Sequence, residues 1–196
     1  MKLKTTSELA FESFCEANHL SLSRISETAN PTPDYILRIN ETNIFVEVKQ
    51  IDKDENFSST FGLRSPGSHI RSKINQARNQ VREAAQNGNP TVLLIYNNLD
   101  PLQLFGTEPH DFLAAMYGDL TINITKENLV SSGVFHGRNQ SFREDKNETF
   151  SAVGRLYRNQ SGFAVHLYQN VYALAPISFS VLPSCIQFNC VEVVNA

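Results

Sequence analysis

The chain reads as a single α/β domain, 1–196, built on a mixed central β-sheet with helices packed on both sides. Three observations lead there. Two stretches with helical periodicity, 6–18 and 68–86, alternate with short apolar runs of strand character at 35–39, 44–50 and 91–96. The runs at 35–39 and 44–50 are apolar at most positions, as strands covered on both faces are. With 196 residues, 41% of them hydrophobic and 19% charged, the chain has material for one sizeable core and the charge density of an ordinary globular protein.

The first helix is expected from Thr6 or Ser7, with Ser7 as its N-cap, to Ala17 or Asn18. Leu9, Phe11, Phe14 and Cys15 form its apolar stripe, and Glu8, Glu12 and Glu16 recur at every fourth position on an adjoining face. Strands follow at 35–39 and 44–50, separated by the polar turn Asn40-Glu41-Thr42-Asn43. Pairing Ile39 with Ile44 sets Asp34 opposite Lys49 and Ile36 opposite Glu47. Directly opposed residues share a face, as do residues two apart, so Asp34, Glu47 and Lys49 project from one side. The polar stretch 52–68 reads as a long loop ending at Pro66-Gly67, or as the seat of a short third strand around 60–64.

Ser68 is the expected cap of the second helix. Ile70, Ile74, Ala77, Val81 and Ala84 form its buried stripe, and Asn87-Gly88-Asn89-Pro90 ends it. Lys73, Gln76 and Gln80 lie along a neighbouring face. The apolar strand 91–96 comes next. Residues 100–147 read as an insertion with a short helix at 111–116. A hairpin pairs 151–156 with 163–168 through a turn at 157–162, and the tail 177–194 suggests additional C-terminal strands.

The chemistry is concentrated at Pro33-Asp34 and Glu47-Val48-Lys49. Charged residues seldom sit among apolar strand residues without a partner or a function. Two carboxylates so placed can hold a hard, oxygen-seeking cation such as Mg²⁺. A lysine beside them can orient an attacking water or stabilise a transition state. Arg64, Arg71, Lys73, Arg78 and Arg82, with Glu83 as the only acid in that stretch, make a candidate phosphate-tracking patch around the second helix. The net charge of −3 is not that of a strongly basic nucleic-acid binder, so affinity for phosphate would have to be local. Five scattered histidines without ligand spacing disfavour zinc, and no glycine-rich phosphate loop or nucleophile elbow occurs.

Together these motifs resemble the PD-(D/E)XK nuclease superfamily, the restriction-endonuclease-like fold, over residues 5–97. The resemblance rests on acidic residues in a first helix, Pro33-Asp34, Glu47-Val48-Lys49, and Ala77-Arg78-Asn79-Gln80-Val81 in a second helix. It implies a core in the order α-β-β-β-α-β and a Mg²⁺-dependent endonuclease that hydrolyses phosphodiester bonds, most naturally in DNA, with Mn²⁺ as substitute. It implies that Asp34, Glu47, Val48 and one of Glu8 and Glu12 hold the metal, with Asp34, Glu47, Lys49 and Gln80 as catalytic residues. Arg64, Arg71, Lys73, Gln76, Arg78 and Arg82 would then contact the nucleic acid. A homodimer would bring two such sites to a duplex. The alternative is a catalytically inactive descendant of the fold that binds nucleic acid or a protein partner.

Cys15, Cys185 and Cys190 are odd in number and lack zinc spacing, which points to reduced thiols. With a polar start at 1–6 and no run of membrane-spanning length, the expectation is a cytoplasmic chain without a membrane partner.

Overall fold

The computed structural model describes residues 3–26, 29–52, 65–100, 102–103, 105–126 and 131–192. It is an α/β structure whose mixed seven-stranded sheet is flanked by helices. Helix α1 spans Thr6–Ala17. Its N-cap is Thr5 rather than Ser7, because Thr5 and Glu8 form a reciprocal capping box that satisfies two backbone donors. Ala10, Phe11, Phe14 and Cys15 are buried, whereas Leu9, expected in the stripe, is half exposed.

Strand β1, Ser21–Arg24, has no counterpart in the sequence reading and pairs antiparallel with β2, Tyr35–Ile39. Strand β3, Thr42–Ile51, pairs antiparallel with β2 in the register Ile39↔Thr42 and Leu37↔Ile44, not Ile39 with Ile44. The difference lies in the turn. Asn40 takes φ 54°, a left-handed conformation that asparagine tolerates, and a two-residue Asn40-Glu41 turn replaces the expected four-residue one. A slip of two residues changes partners but keeps every side chain on its face.

Helix α2, Ser68–Gln86, buries Ile70, Ile74, Ala77, Val81 and Ala84. It connects β3 to the parallel strand β4, Thr91–Asn97, which is buried throughout. Helix α3, Pro109–Tyr117, then leads into a separate two-stranded hairpin of β5, Leu120–Ile124, and β6, Ser131–His136. The segment expected as an insertion is therefore mixed in character: Phe112, Ala115 and Met116 of α3 are buried in the core, while Leu120, Ile122 and Ile124 of the hairpin are exposed. Strand β7, Ala152–Asn159, is parallel to β4. It turns through Gln160-Ser161, a shorter turn than expected, into β8, Gly162–Gln169. A 3₁₀ turn at Phe179–Val181 and strand β9, Ile186–Asn189, complete the sheet in the order β1-β2-β3-β4-β7-β8-β9. The suggested strand at 60–64 lies outside the described residues. No helix among the described residues is long and apolar enough to cross a membrane.

Two cores cover the sheet. On one face Tyr35, Leu37, Ile44, Val46, Val48 and Leu94 pack against Phe11 and Phe14 of α1. On the other, Ile51, Leu93, Ile95 and Val153 pack against α2 and α3 through Ile70, Ile74, Phe112 and Met116. Alternation places Glu47 and Lys49 on the α2 face.

Gly67 joins the two covering helices. Its φ is +70°, its N–H donates to Asp111 Oδ1 at 3.0 Å, and a Cβ there would lie 2.6 Å from the Asp111 carbonyl oxygen. Gly67→Ala should cost about 2–4 kcal/mol from the left-handed backbone and the overlap combined. Calorimetry should show a melting temperature lower by roughly 5–15 °C; an unchanged value would contradict this junction.

Candidate active site

Strands β2 and β3 part company at Asp34. The ladder ends at Tyr35↔Val46, and the Asp34 carbonyl accepts the N–H of Ile25 on the β1 side. Val48 is thus left with a backbone donor that no strand neighbour meets. The Asp34 carboxylate meets it: Oδ2 accepts the Val48 N–H at 2.8 Å. A strand residue's N–H and C=O point towards the same neighbour, so the Val48 carbonyl is directed into the same gap.

Continuing the register by one position sets Glu47 opposite Asp34. Glu47 is 1% exposed. Its Oε1 is 2.5 Å from Lys49 Nζ, and its Oε2 is buried without a hydrogen-bond partner. Burial, then the charge of Asp34, push the Glu47 carboxyl up to about 7, against the opposing pull of Lys49. Burial also raises Asp34, while the Val48 N–H and Lys49 act against it. Two ionised carboxylates offer each other no donor. The Glu47 oxygen is therefore an orphan unless a proton or a cation lies between the pair.

Glu8 and Glu12 behave differently. Glu8 is buried at the N-terminus of α1, and its charge reaches Asp34. Its Oε2 accepts the Thr5 N–H at 2.7 Å and its Oε1 accepts Arg24 Nη2 at 2.7 Å. Glu12 accepts the Tyr35 hydroxyl at 2.9 Å and Lys4 Nζ at 2.7 Å. Burial raises the Glu12 carboxyl, but Lys4, Tyr35 and Arg24 together hold it below the usual range. Tyr35 and Arg24 are partners in the ladder, so Glu12 and Glu8 are both engaged on the α1 side of the sheet, and Glu8 is the one whose charge is felt at Asp34.

Helix α2 divides the expected basic patch. At about 100° per residue, Lys73 and Gln80 fall on one flank of the buried stripe and Arg71, Arg78 and Arg82 on the other. Lys73 is half-buried and feels both Asp52 and Lys49; burial lowers its ammonium, Asp52 opposes this and Lys49 adds to it. Its Nζ lies 3.4 Å from Gln76 Oε1. Gln76 is exposed and donates to Ser72. The Gln80 side-chain amide lies against the Gln76 and Ala77 carbonyls of its own helix, and with its nitrogen turned towards them it donates to both, at 2.8 and 2.9 Å. Arg71 is structural: Nη2 donates to the Pro66 carbonyl at 2.7 Å and Nη1 to the Ala114 carbonyl at 3.1 Å, tying α2 to α3. Arg78 and Arg82 border an open groove with Asp145, Lys146, Asn147 and Thr149. Arg64 lies outside the described residues. Among the described residues, a single patch with Gln80 at its inner edge is thus corrected to two separate flanks, with Lys73 on the flank whose charge meets Lys49 and Asp52.

Residues that sequence reasoning missed hold the site together. Gln50 Oε1 accepts the Ser7 N–H at 3.0 Å, and Gln50 Nε2 donates to Asp52 Oδ1, which also accepts from Asn98 Nδ2. This chain fixes the first turn of α1, and with it Glu8, to the end of β3. Alternation from Glu47 and Lys49 places Gln50 on the α1 face, which was the available signal; Arg24 had none. A second group, Glu108, His110 and Asp111, brings its ligand atoms within 4.8 Å of one another. Its carboxylates are already used as caps: Asp111 accepts the Gly67 and Glu108 N–H groups at the start of α3. The oxygens of Asp34, Glu47 and Val48 are hard donors around a buried, unpartnered acceptor, and they suit Mg²⁺ or Mn²⁺. Comparison with protein-family models, curated proteins and solved structures gave no match.

Proposed function

We propose that this chain is a divalent-metal-dependent nuclease with a restriction-endonuclease-like core, acting on phosphodiester bonds, DNA foremost. The observation that carries the reading is the buried, unpartnered Oε2 of Glu47, whose other oxygen meets Lys49 and whose carboxyl feels the charge of Asp34. The order α1-β1-β2-β3-α2-β4 supports it, since it is the core order of the PD-(D/E)XK superfamily. Asp34, Glu47 and the Val48 carbonyl would hold Mg²⁺, with Glu8 behind them. When bound, the cation supplies Lewis-acid stabilisation of phosphate charge and a more acidic water. Asp34 and Glu47 give up the proton that relieves their repulsion at low pH. Lys49, anchored by Glu47, offers its remaining N–H groups to the attacking water or to the phosphate oxygens on which charge builds up. Lys73 adds a second positive charge on the substrate side.

The partner-binding alternative draws on two contacts. Arg24 and the cap occupy Glu8, and Gln80 is turned back on its helix. The deciding experiment incubates supercoiled plasmid, linear DNA and an RNA oligonucleotide with the protein in Mg²⁺, Mn²⁺ or EDTA. Cleavage confined to the divalent ions and lost in Glu47→Gln supports the nuclease. Binding without cleavage in either metal supports the alternative.

A further inference from the structure

Arg155 of β7 stands in the same cross-sheet row as Lys49. Lys49 pairs with Ile95 on β4, and Ile95 pairs with Arg155. Ile95 and Val153 belong to the α2–α3 core, so Arg155 lies on the face that carries Lys49 and Glu47. Two strand spacings separate the backbones of Lys49 and Arg155, about 10 Å.

The side chain is held but not neutralised. Its guanidinium carbon lies 4.2 Å from the centroid of the Tyr157 ring. Nη2 donates to the Gln103 carbonyl at 2.9 Å. Gln103 is itself fixed to both neighbouring strands, donating to the Asn97 carbonyl at 3.1 Å and accepting the Arg158 N–H at 2.6 Å. Nε is buried without a hydrogen-bond partner. The charges of Asp100 and Glu108 reach the guanidinium, yet no carboxylate among the described residues pairs with it. Opposite Arg155 on β8, His166 is engaged with Asn189 and stacked on Tyr168. A half-buried arginine that serves packing alone would be expected to have its donors met, because an unmet buried donor is costly. A planar cation already fixed against an aromatic ring loses little freedom when it binds a phosphate, and it matches phosphate geometry better than an ammonium does.

We propose that Arg155 is a phosphate subsite, holding the backbone of the substrate strand beside the phosphate that reaches Glu47 and Lys49. The inference rests on the nuclease reading, and it adds a contact from β7 to those expected along α2. Arg155 binds and aligns; it takes no part in the bond-breaking step.

The test uses fluorescence anisotropy with a labelled single-stranded DNA oligonucleotide in Mg²⁺, in a Lys49→Ala background so that the strand stays intact, over a series of salt concentrations. Adding Arg155→Ala should weaken binding by roughly 10- to 100-fold. It should also reduce the log–log salt slope by about 0.7, one phosphate contact on a single strand. Arg155→Lys should keep the slope. Arg155→Gln retains a donor for the Gln103 carbonyl, guards against local misfolding, and should lose the same slope as the alanine variant at an unchanged melting temperature. If the Lys49→Ala parent binds DNA and the slope is unmoved by Arg155→Gln, the subsite is refuted while the nuclease reading stands. If the parent binds no nucleic acid and wild type cuts none, both fall together.

Discussion

Lys49→Ala is expected to slow single-turnover cleavage by about 10²- to 10³-fold, the usual consequence of removing one donor aimed at developing charge. Affinity for the substrate should stay within about threefold, because a group that acts on the transition state contributes little to ground-state binding. The structure gives the loss a second component. Lys49 is the cation that opposes the rise of the Glu47 carboxyl, at 2.5 Å from Oε1. Without it Glu47 holds its proton to higher pH, so part of the lost rate should return as the pH is raised from 7 towards 9. Single-turnover assays across that range read both components. A rate equal to wild type at every pH would remove Lys49 from the chemistry.

Glu47→Gln is expected to stabilise the metal-free protein at alkaline pH. The Glu47 carboxyl is raised from 4.5 to about 7 in the folded state. Below about pH 4.5 both folded and unfolded chains hold the proton, and burial of Glu47 carries no titration penalty. Between there and about pH 7 the unfolded chain releases its proton first, so folding becomes less favourable, and above pH 7 the whole penalty is present. It amounts to about 3 kcal/mol, a figure in which the opposing pull of Lys49 is already counted. The glutamine variant should therefore melt roughly 5 °C higher than wild type at pH 8 and close to it at pH 4.5. Saturating Mn²⁺ should reverse the order at pH 8, since the cation stabilises only the folded chain that binds it. A variant that melts below wild type at pH 8 without metal would show that the carboxylate pair is not strained.

The helices, the paired strands at the site and the shared face of Asp34, Glu47 and Lys49 were legible because they depend on alternation and apolar periodicity. The face survived a wrong register because the slip was of two residues, and periodicity of two is blind to that. Strand β1 was not legible: Ser21-Leu22-Ser23-Arg24 is an edge segment with one apolar residue, held by its ladder with β2 rather than by its own pattern. Its Arg24, which pairs with Glu8, was hidden with it. The arginines of α2 failed for a different reason. Charge and spacing reveal which residues are basic but not that Arg71 would find the Pro66 and Ala114 carbonyls, a contact created by the docking of α3. Gln80 likewise carries a sequence signature, while its amide is taken up by its own helix.

Calorimetric titration of Mn²⁺ at pH 7.5 into wild type, Asp34→Asn, Glu47→Gln and His110→Ala tests the metal site most directly. Binding in wild type and in His110→Ala, with loss of binding in both Asp34→Asn and Glu47→Gln, is the predicted result. Unchanged affinity in the two carboxamide variants, or loss of binding in His110→Ala alone, would contradict a metal centre at Asp34 and Glu47.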